Sequence, residues 1–231
     1  MTAKKEIIKS IESLSGKYSP YEVFSDWIRC CALAIQNNCC MIHDKVWQDR
    51  EQAYIDTMRR YDAQERIEFC KMFALLGDAL TDDLTDILGE IYMEMQMGSK
   101  ASGQFFTPFH LSELTARTSM QSVIESFDGS MIELNEPSSG GGGMIIAAAK
   151  VLRDAGINPQ KYLRVVAQDL DWKGVYMSYL QLSLIGIRAV VVQGDTLKEP
   201  YDRNYPKSRI MITPAELLGG VTWLLEEADA G

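Results

Sequence analysis

The sequence predicts an α/β fold: an N-terminal helical region, then a Rossmann-like sheet. Three observations carry this expectation. The first hundred residues hold several amphipathic helical stretches and no strand signal. From about residue 130 short apolar strands alternate with helices, the pattern of a parallel sheet. The first strand runs into Glu136-Pro-Ser-Ser-Gly-Gly-Gly-Gly-Met144, a turn rich in glycine that opens a helix. Strand, glycine turn and helix together bring backbone close to a polar ligand.

In the helical region, Lys5–Leu14 puts Ile7, Ile8, Ile11 and Leu14 on one face. Tyr21–Ile35 repeats the period through Val23, Phe24, Trp27, Ile28, Cys31 and Ile35. Trp47–Met58 is polar but favours helix. Ala63–Leu76 turns Ile67, Phe69, Cys70, Met72, Phe73 and Leu76 inward, and Asp82–Met95 does so with Leu84, Ile87, Leu88 and Ile91. These apolar stripes are read as core. Gly98-Ser-Lys-Ala-Ser-Gly103 is a break, so the chain divides into a helical domain, 1–98, and a sheet domain, 99–231. Pro108 opens a helix over Leu111–Gln121.

In the sheet domain, Met131–Asn135 is the first strand and 144–154 its helix. Leu163–Ala167 is the second strand, ending in Gln168-Asp-Leu-Asp171, and Trp172–Ile185 is helical. Arg188–Gln193 is the third strand, closed by Gly194-Asp195-Thr196. Arg209–Ile212 is the fourth, followed by a helix over Ala215–Ala228. The sheet is expected to be cut short after that fourth strand.

Composition removes several functions. The net charge is −9, with 12 Lys+Arg against 17 Asp+Glu in residues 1–100 and 11 against 15 in 101–231. Strong autonomous binding to a phosphate backbone needs a basic face, so nucleic acid would have to be reached through a partner. No apolar run reaches membrane-spanning length and no signal core opens the chain, which points to the cytoplasm. The adjacent pairs Cys30-Cys31 and Cys39-Cys40 do not space like zinc ligands. They and Cys70 are read as free, mostly buried thiols, and no metal is expected.

Ligands of such sheets lie across the carboxyl ends of the strands. Here those ends offer the glycine turn, then Asp169 to accept ribose hydroxyls, then Asp195 to accept an exocyclic amine. That combination describes an adenosine-containing ligand. No Gly-Lys-Ser/Thr follows the glycines, which excludes a P-loop, and four packed glycines fit a dinucleotide fingerprint poorly.

Gly103-Gln-Phe-Phe-Thr-Pro108, Glu136-Pro-Ser-Ser-Gly-Gly-Gly-Gly-Met-Ile-Ile146, Gln168-Asp-Leu-Asp171, Leu184-Ile-Gly-Ile187 and Gly194-Asp-Thr-Leu197 resemble, in order and spacing, the modification subunit of type I restriction enzymes. That is the N6-adenine DNA methyltransferase family, which uses S-adenosylmethionine. The resemblance spans roughly residues 85–200. It implies that Phe106, Thr107 and Pro108 close over the methionine end of the cofactor. Glu136, Pro137, Ser139, Gly140 and Gly142 would form the cofactor loop, Asp169 would hold the ribose, and Asp195 would read the adenine amine. It also implies DNA as partner, through a specificity-type or other subunit, and leaves a homodimer open.

The chain departs from the family in two places. In the loop, Glu136 stands for aspartate, Ser139 for cysteine and Gly141 for serine. The family ends its fourth strand in Asn-Pro-Pro-Phe/Tyr, which holds the target amine and stacks on the flipped base. Here the strand ends in Thr213-Pro214, and Asn204-Tyr205 has the residue types in another order. Those four are the catalytic candidates. Two readings stay open: a methyltransferase degenerate in its catalytic loop, or an inactive regulatory or partner subunit that binds the cofactor. A third is a generic Rossmann-type domain for another nucleotide.

Overall fold

The computed structural model describes residues 2–95 and 106–219. The Gly98–Gly103 break, with the 98/99 domain boundary, and most of the 215–228 helix lie outside the described residues.

The helical region comprises α1 (Ala3–Leu14), α2 (Pro20–Cys39), α3 (Lys45–Met58), α4 (Ala63–Asp82) and α5 (Ile87–Glu94). Ser19 with Glu22 and Asp62 with Glu65 form capping boxes that fix the starts of α2 and α4. The helix expected from Asp82 starts five residues later. Asp86 caps α5 by accepting the Gly89 N–H, and α4 runs on to Asp82. On α4 the buried stripe is Phe69, Met72, Leu76 and Leu80. Ile67 and Cys70 lie off that stripe and are exposed, so the inward face is narrower than the apolar pattern implied. Cys30 is the buried cysteine, and burial pushes its thiol up to about 12. Cys31, Cys39 and Cys40 are half-buried.

After α6 (Phe109–Glu125) come β1 (Ile132–Glu136), α7 (Gly143–Asp154), α8 (Pro159–Tyr162), β2 (Leu163–Asp169), α9 (Trp172–Leu184), β3 (Arg188–Gln193) and β4 (Ile210–Ile212). The sheet order is β1-β2-β3-β4. β1, β2 and β3 are parallel, with Glu136 beside Ala167 and Asp169 beside Gln193. Their carboxyl ends therefore come together at one rim.

The expected fourth strand is present as β4 and departs from the parallel pattern of the first three. It runs antiparallel to β3, with Val192 beside Ile210 and Val190 beside Ile212. The polar loop from 194 to 209 is a return that holds only a short 3-10 turn, Lys207–Arg209, and no α-helix to carry the chain back across the sheet. β4 thus ends at the amino end of β3. Thr213 is buried there: its hydroxyl donates to Ile187 O (2.8 Å) and accepts from Ala189 N (2.9 Å). Side chains from the helical region cover the outer edge of β4, where Gln36 accepts the Ile212 N–H and Arg50 donates to Ile210 O.

One continuous core joins the two regions. Trp27, Phe24, Ile28, Met72 and Leu88 share it with Ile145, Val165, Ala167, Val191 and Met211. Each buried Val, Leu, Ile, Phe or Met among them contributes about 1.5–3 kcal/mol of burial free energy. The opposite face of β3, Val190 and Val192, packs under Tyr205, Tyr201 and Ile210.

A polar joint inside this core ties the helices to the glycine turn. Gln181, on α9, is fully buried. Its Nε2 donates to Gly141 O (2.7 Å) and Asp86 Oδ1 (2.8 Å), and its Oε1 accepts the Leu88 N–H (3.1 Å). Asp86 is 4% exposed. Burial pushes its carboxyl above the usual range, and the bonds from Gln181 and Gly89 pull partly back.

Thr213→Val keeps the shape but leaves the buried Ala189 N–H without its acceptor. It should cost about 1–3 kcal/mol in urea unfolding; an unchanged midpoint would remove Thr213 as the staple of β3. Because the folded pKa of Asp86 lies above its unfolded value, the folded state holds the proton longer. Stability attached to Asp86 is full below the unfolded pKa, near 4, and is lost as pH rises toward the folded pKa. Asp86→Asn cannot titrate. Its stability relative to wild type should therefore improve between pH 4 and pH 7, read as a difference in urea midpoints. A difference that stays flat across that range would show that burial does not perturb the carboxyl.

Candidate functional site

The rim at the carboxyl ends of β1, β2 and β3 assembles most of the residues singled out by sequence. Gly140 and Gly142 have positive φ (51° and 90°), a backbone that side chains rarely adopt. The turn lets α7 start at Gly143 with its N-terminus facing the rim. A Cβ at Gly140 would lie 2.8 Å from the Phe106 ring, so the Phe106-Thr107-Pro108 segment closes directly onto the turn. Ser139 is buried; its N–H donates to Gln168 O, and its hydroxyl has no hydrogen-bond partner among the described residues. Glu136, at the tip of β1, accepts the Ser138 N–H (3.2 Å).

Asp169 is the centre of the rim. Its Oδ2 accepts the Gly140 N–H (2.8 Å) and its Oδ1 the Asp171 N–H (2.9 Å), while its backbone carbonyl accepts from Gly194 (2.8 Å). Gly174 on α9 leaves room for it, since a Cβ there would lie 2.8 Å from the carboxyl carbon. Burial pushes the Asp169 carboxyl up, and the Asp171 and Gly140 N–H bonds offset part of that. Lys173, in the first turn of α9, pairs with Asp171 at 3.3 Å and sits over the Tyr92 ring.

Asp195 sits at the end of β3 and caps its own turn. Its carboxylate accepts the Leu197 N–H and pairs with Lys198 (3.0 Å), which holds it below the usual carboxylate range. The next residue, Thr196, donates to Pro137 O (2.7 Å), which binds this turn to the glycine turn.

The four catalytic candidates do not gather at the rim. Thr213 and Pro214 lie at the far end of β3, for the reason given by the direction of β4. Asn204 is exposed in a turn where its N–H donates to Asp202. Tyr205 is 8% exposed, its hydroxyl donating to Gln193 O (3.0 Å) and its ring against Tyr201, so it braces the return loop.

Three residues at the site escaped the sequence reading. Asp86 had a signal: an acid three residues before Gly89 at the head of an apolar helix is an N-cap pattern. Gln181 had one too, as a polar residue in an otherwise apolar stretch, Tyr179-Leu-Gln-Leu182. Leu170 follows Asp169 and is 67% exposed, an apolar side chain offered to solvent at the rim.

The residues fit an adenosine cofactor. They provide a carboxylate held at the strand tips, a glycine cradle under an aromatic ring, an orphaned buried hydroxyl and an exposed apolar side chain beside them.

Comparisons with known proteins bear on this arrangement. No curated protein matches the chain. Among solved structures it is similar to the type I restriction-modification methyltransferase subunit of Streptococcus thermophilus, at 14% identity and a TM-score of 0.44, over 88% of this chain and 60% of that one. It is also similar to a protein of Listeria monocytogenes assigned as a class I S-adenosylmethionine-dependent methyltransferase, at 10% identity and a TM-score of 0.45, over 84% of this chain and 54% of that one. Likenesses at these scores add nothing to the assignment, and the chain spans less than two thirds of either protein. A sequence model of the N-6 DNA Methylase family matches residues 82–215, more than half of the chain, and the chain belongs to that family.

Proposed function

We propose that this chain binds S-adenosylmethionine at the β1–β2–β3 rim as an N6-adenine DNA methyltransferase-type subunit, and that it does not transfer the methyl group by itself. One observation carries the cofactor reading: Asp169 holds the glycine turn by the Gly140 N–H and keeps further acceptor sites at the rim. A carboxylate has about four lone-pair sites, and two backbone donors leave two for a ribose diol. Bound S-adenosylmethionine supplies a sulfonium-activated methyl group. Phe106, Thr107 and Pro108 would cover its methionine end, Leu170 would pack on the adenine ring, and Asp195 would accept from the exocyclic amine.

The second half of the proposal rests on where the other residues lie. Accepting the target amine takes an amide and a carbonyl beside the methyl group, with a ring to hold the flipped base. Thr213 and Pro214 are at the opposite end of β3, and Tyr205 is spent on Gln193 O. The acidic charge argues the same way. DNA would be engaged through a partner subunit that contributes the basic surface, as in a type I restriction-modification assembly, and in the cytoplasm.

Isothermal calorimetry with S-adenosylhomocysteine should show saturable binding. Asp169→Ala should weaken it at least about tenfold, since both a charged acceptor and the hold on Gly140 are lost. No heat at millimolar ligand would remove the cofactor reading. The chain alone should incorporate no labelled methyl into adenine of duplex DNA. Steady incorporation would overturn the second half and make Asn204 the first residue to replace.

A further inference from the structure

Lys173 stands where a cation is disfavoured twice over. It lies in the first turn of α9, where the helix dipole opposes positive charge. It is also 8% exposed, so its ammonium is largely withdrawn from water. Three groups offset this. Asp171 pairs with it at 3.3 Å, and its Nζ lies 4.7 Å from the ring centre of Tyr92 and 5.2 Å from that of Tyr21. Both tyrosines belong to the helical region, Tyr21 to the first turn of α2 and Tyr92 to α5.

From Lys173 a circuit of contacts runs round the rim and closes on itself. Tyr92 is buried, its ring centre 6.1 Å from that of Phe24 and 5.0 Å from that of Phe106, with the Phe106 ring inclined at 60°. These distances and tilts suit attraction between aromatic rings. Phe106 in turn touches the glycine turn, since a Cβ on Gly140 would lie 2.8 Å from its ring. Gly140 N donates to Asp169 Oδ2, and Asp171 N donates to Asp169 Oδ1. The carboxylate of Asp171 then returns the circuit to Lys173. Tyr92 is the one link drawn from the helical region.

We infer that Lys173 is a positioning residue: it fixes the Tyr92 ring, which in turn seats Phe106 on the glycine turn. The consequence for binding rests on the cofactor reading above and deepens it, because Phe106 is the aromatic side of the proposed site. Lys173 itself touches no ligand in this account. It keeps the ring in place before the ligand arrives, so little of Phe106 remains to be ordered on binding. Asp169 and Lys173 are then two ends of one brace. The acid holds the backbone of the turn, and the cation holds the ring against it.

The test uses the full chain with 4-fluorophenylalanine placed at position 106 and, as a control, at position 69 in the helical core. Lys173→Met keeps the apolar stem and removes the charge. Its fluorine signal at 106 should move towards the position it takes in urea, while the signal at 69 stays in place. Tyr92→Leu removes the ring, keeps Lys173, and should move the signal at 106 as well. An unmoved signal at 106 in Lys173→Met would overturn the inference. Movement at both positions would reduce Lys173 to general support of the fold and overturn it too. In calorimetry with S-adenosylhomocysteine each variant should bind about three- to thirtyfold more weakly, the range of one desolvated cation–π contact. The double variant should lose no more than the more damaging single one. Wild-type affinity in Tyr92→Leu would mean that the charge acts on the ligand directly, which also overturns the inference. Absence of binding to wild type would remove the cofactor reading, while the fluorine signals would still decide the role of Lys173.

Discussion

The structure depends most on the side-chain amide of Gln181. It is fully buried, and it makes three hydrogen bonds to two segments far apart in sequence, the start of α5 and the glycine turn. In such surroundings a satisfied network is rigid, and a single missing partner is costly. Leu88 and Asp86 come from the helical region, and Gly141 from the turn. The first ninety residues are therefore fastened to the site by directional bonds as well as by apolar contact. This is why helices that carry none of the rim residues still set its geometry.

The direction of β4 decides which residues can share chemistry. A parallel strand would have delivered its end to the rim beside Asp195. The antiparallel return delivers Thr213 to the opposite edge, where its hydroxyl serves Ile187 and Ala189. The return loop is fixed along its length. Gln168 donates to Glu199 O and accepts from Tyr201 N, and Tyr205 reaches Gln193 O. Aromatic and amide groups that resemble catalytic ones by type are here used as struts, and type alone could not distinguish the two uses.

Much of the fold was legible because its signals are local. The strands β1 to β3, the glycine turn and the amphipathic helices each follow from a period or a cap within a dozen residues. The rim acids were legible for the same reason, since a strand end can be read from its own sequence. The direction of β4 was not, because a three-residue strand has no crossover pattern of its own and takes its orientation from the loop before it. Asp86 and Gln181 were not legible as a pair, being 95 residues apart and joined only in the folded core. Ile67 and Cys70 were misplaced because an apolar pattern says which side chains can be buried, while packing on α1 and α9 decides which are.

The structural and binding readings of the rim acids are not rivals. Asp169 holds the turn through Gly140 and Asp195 caps the loop through Leu197 and Lys198. A side chain fixed this way loses little further entropy when a ligand arrives, so its remaining lone pairs act as a preorganised acceptor. The Asp169 carboxyl, raised by burial, would gain two hydroxyl donors from a ribose, which would favour the ionised form that binds them. Asp86 is fixed in the same way, its Oδ1 accepting from both Gly89 N and Gln181 Nε2. Each acid of the site uses part of its bonding capacity to fix its own position, and the remainder is then available at a defined place.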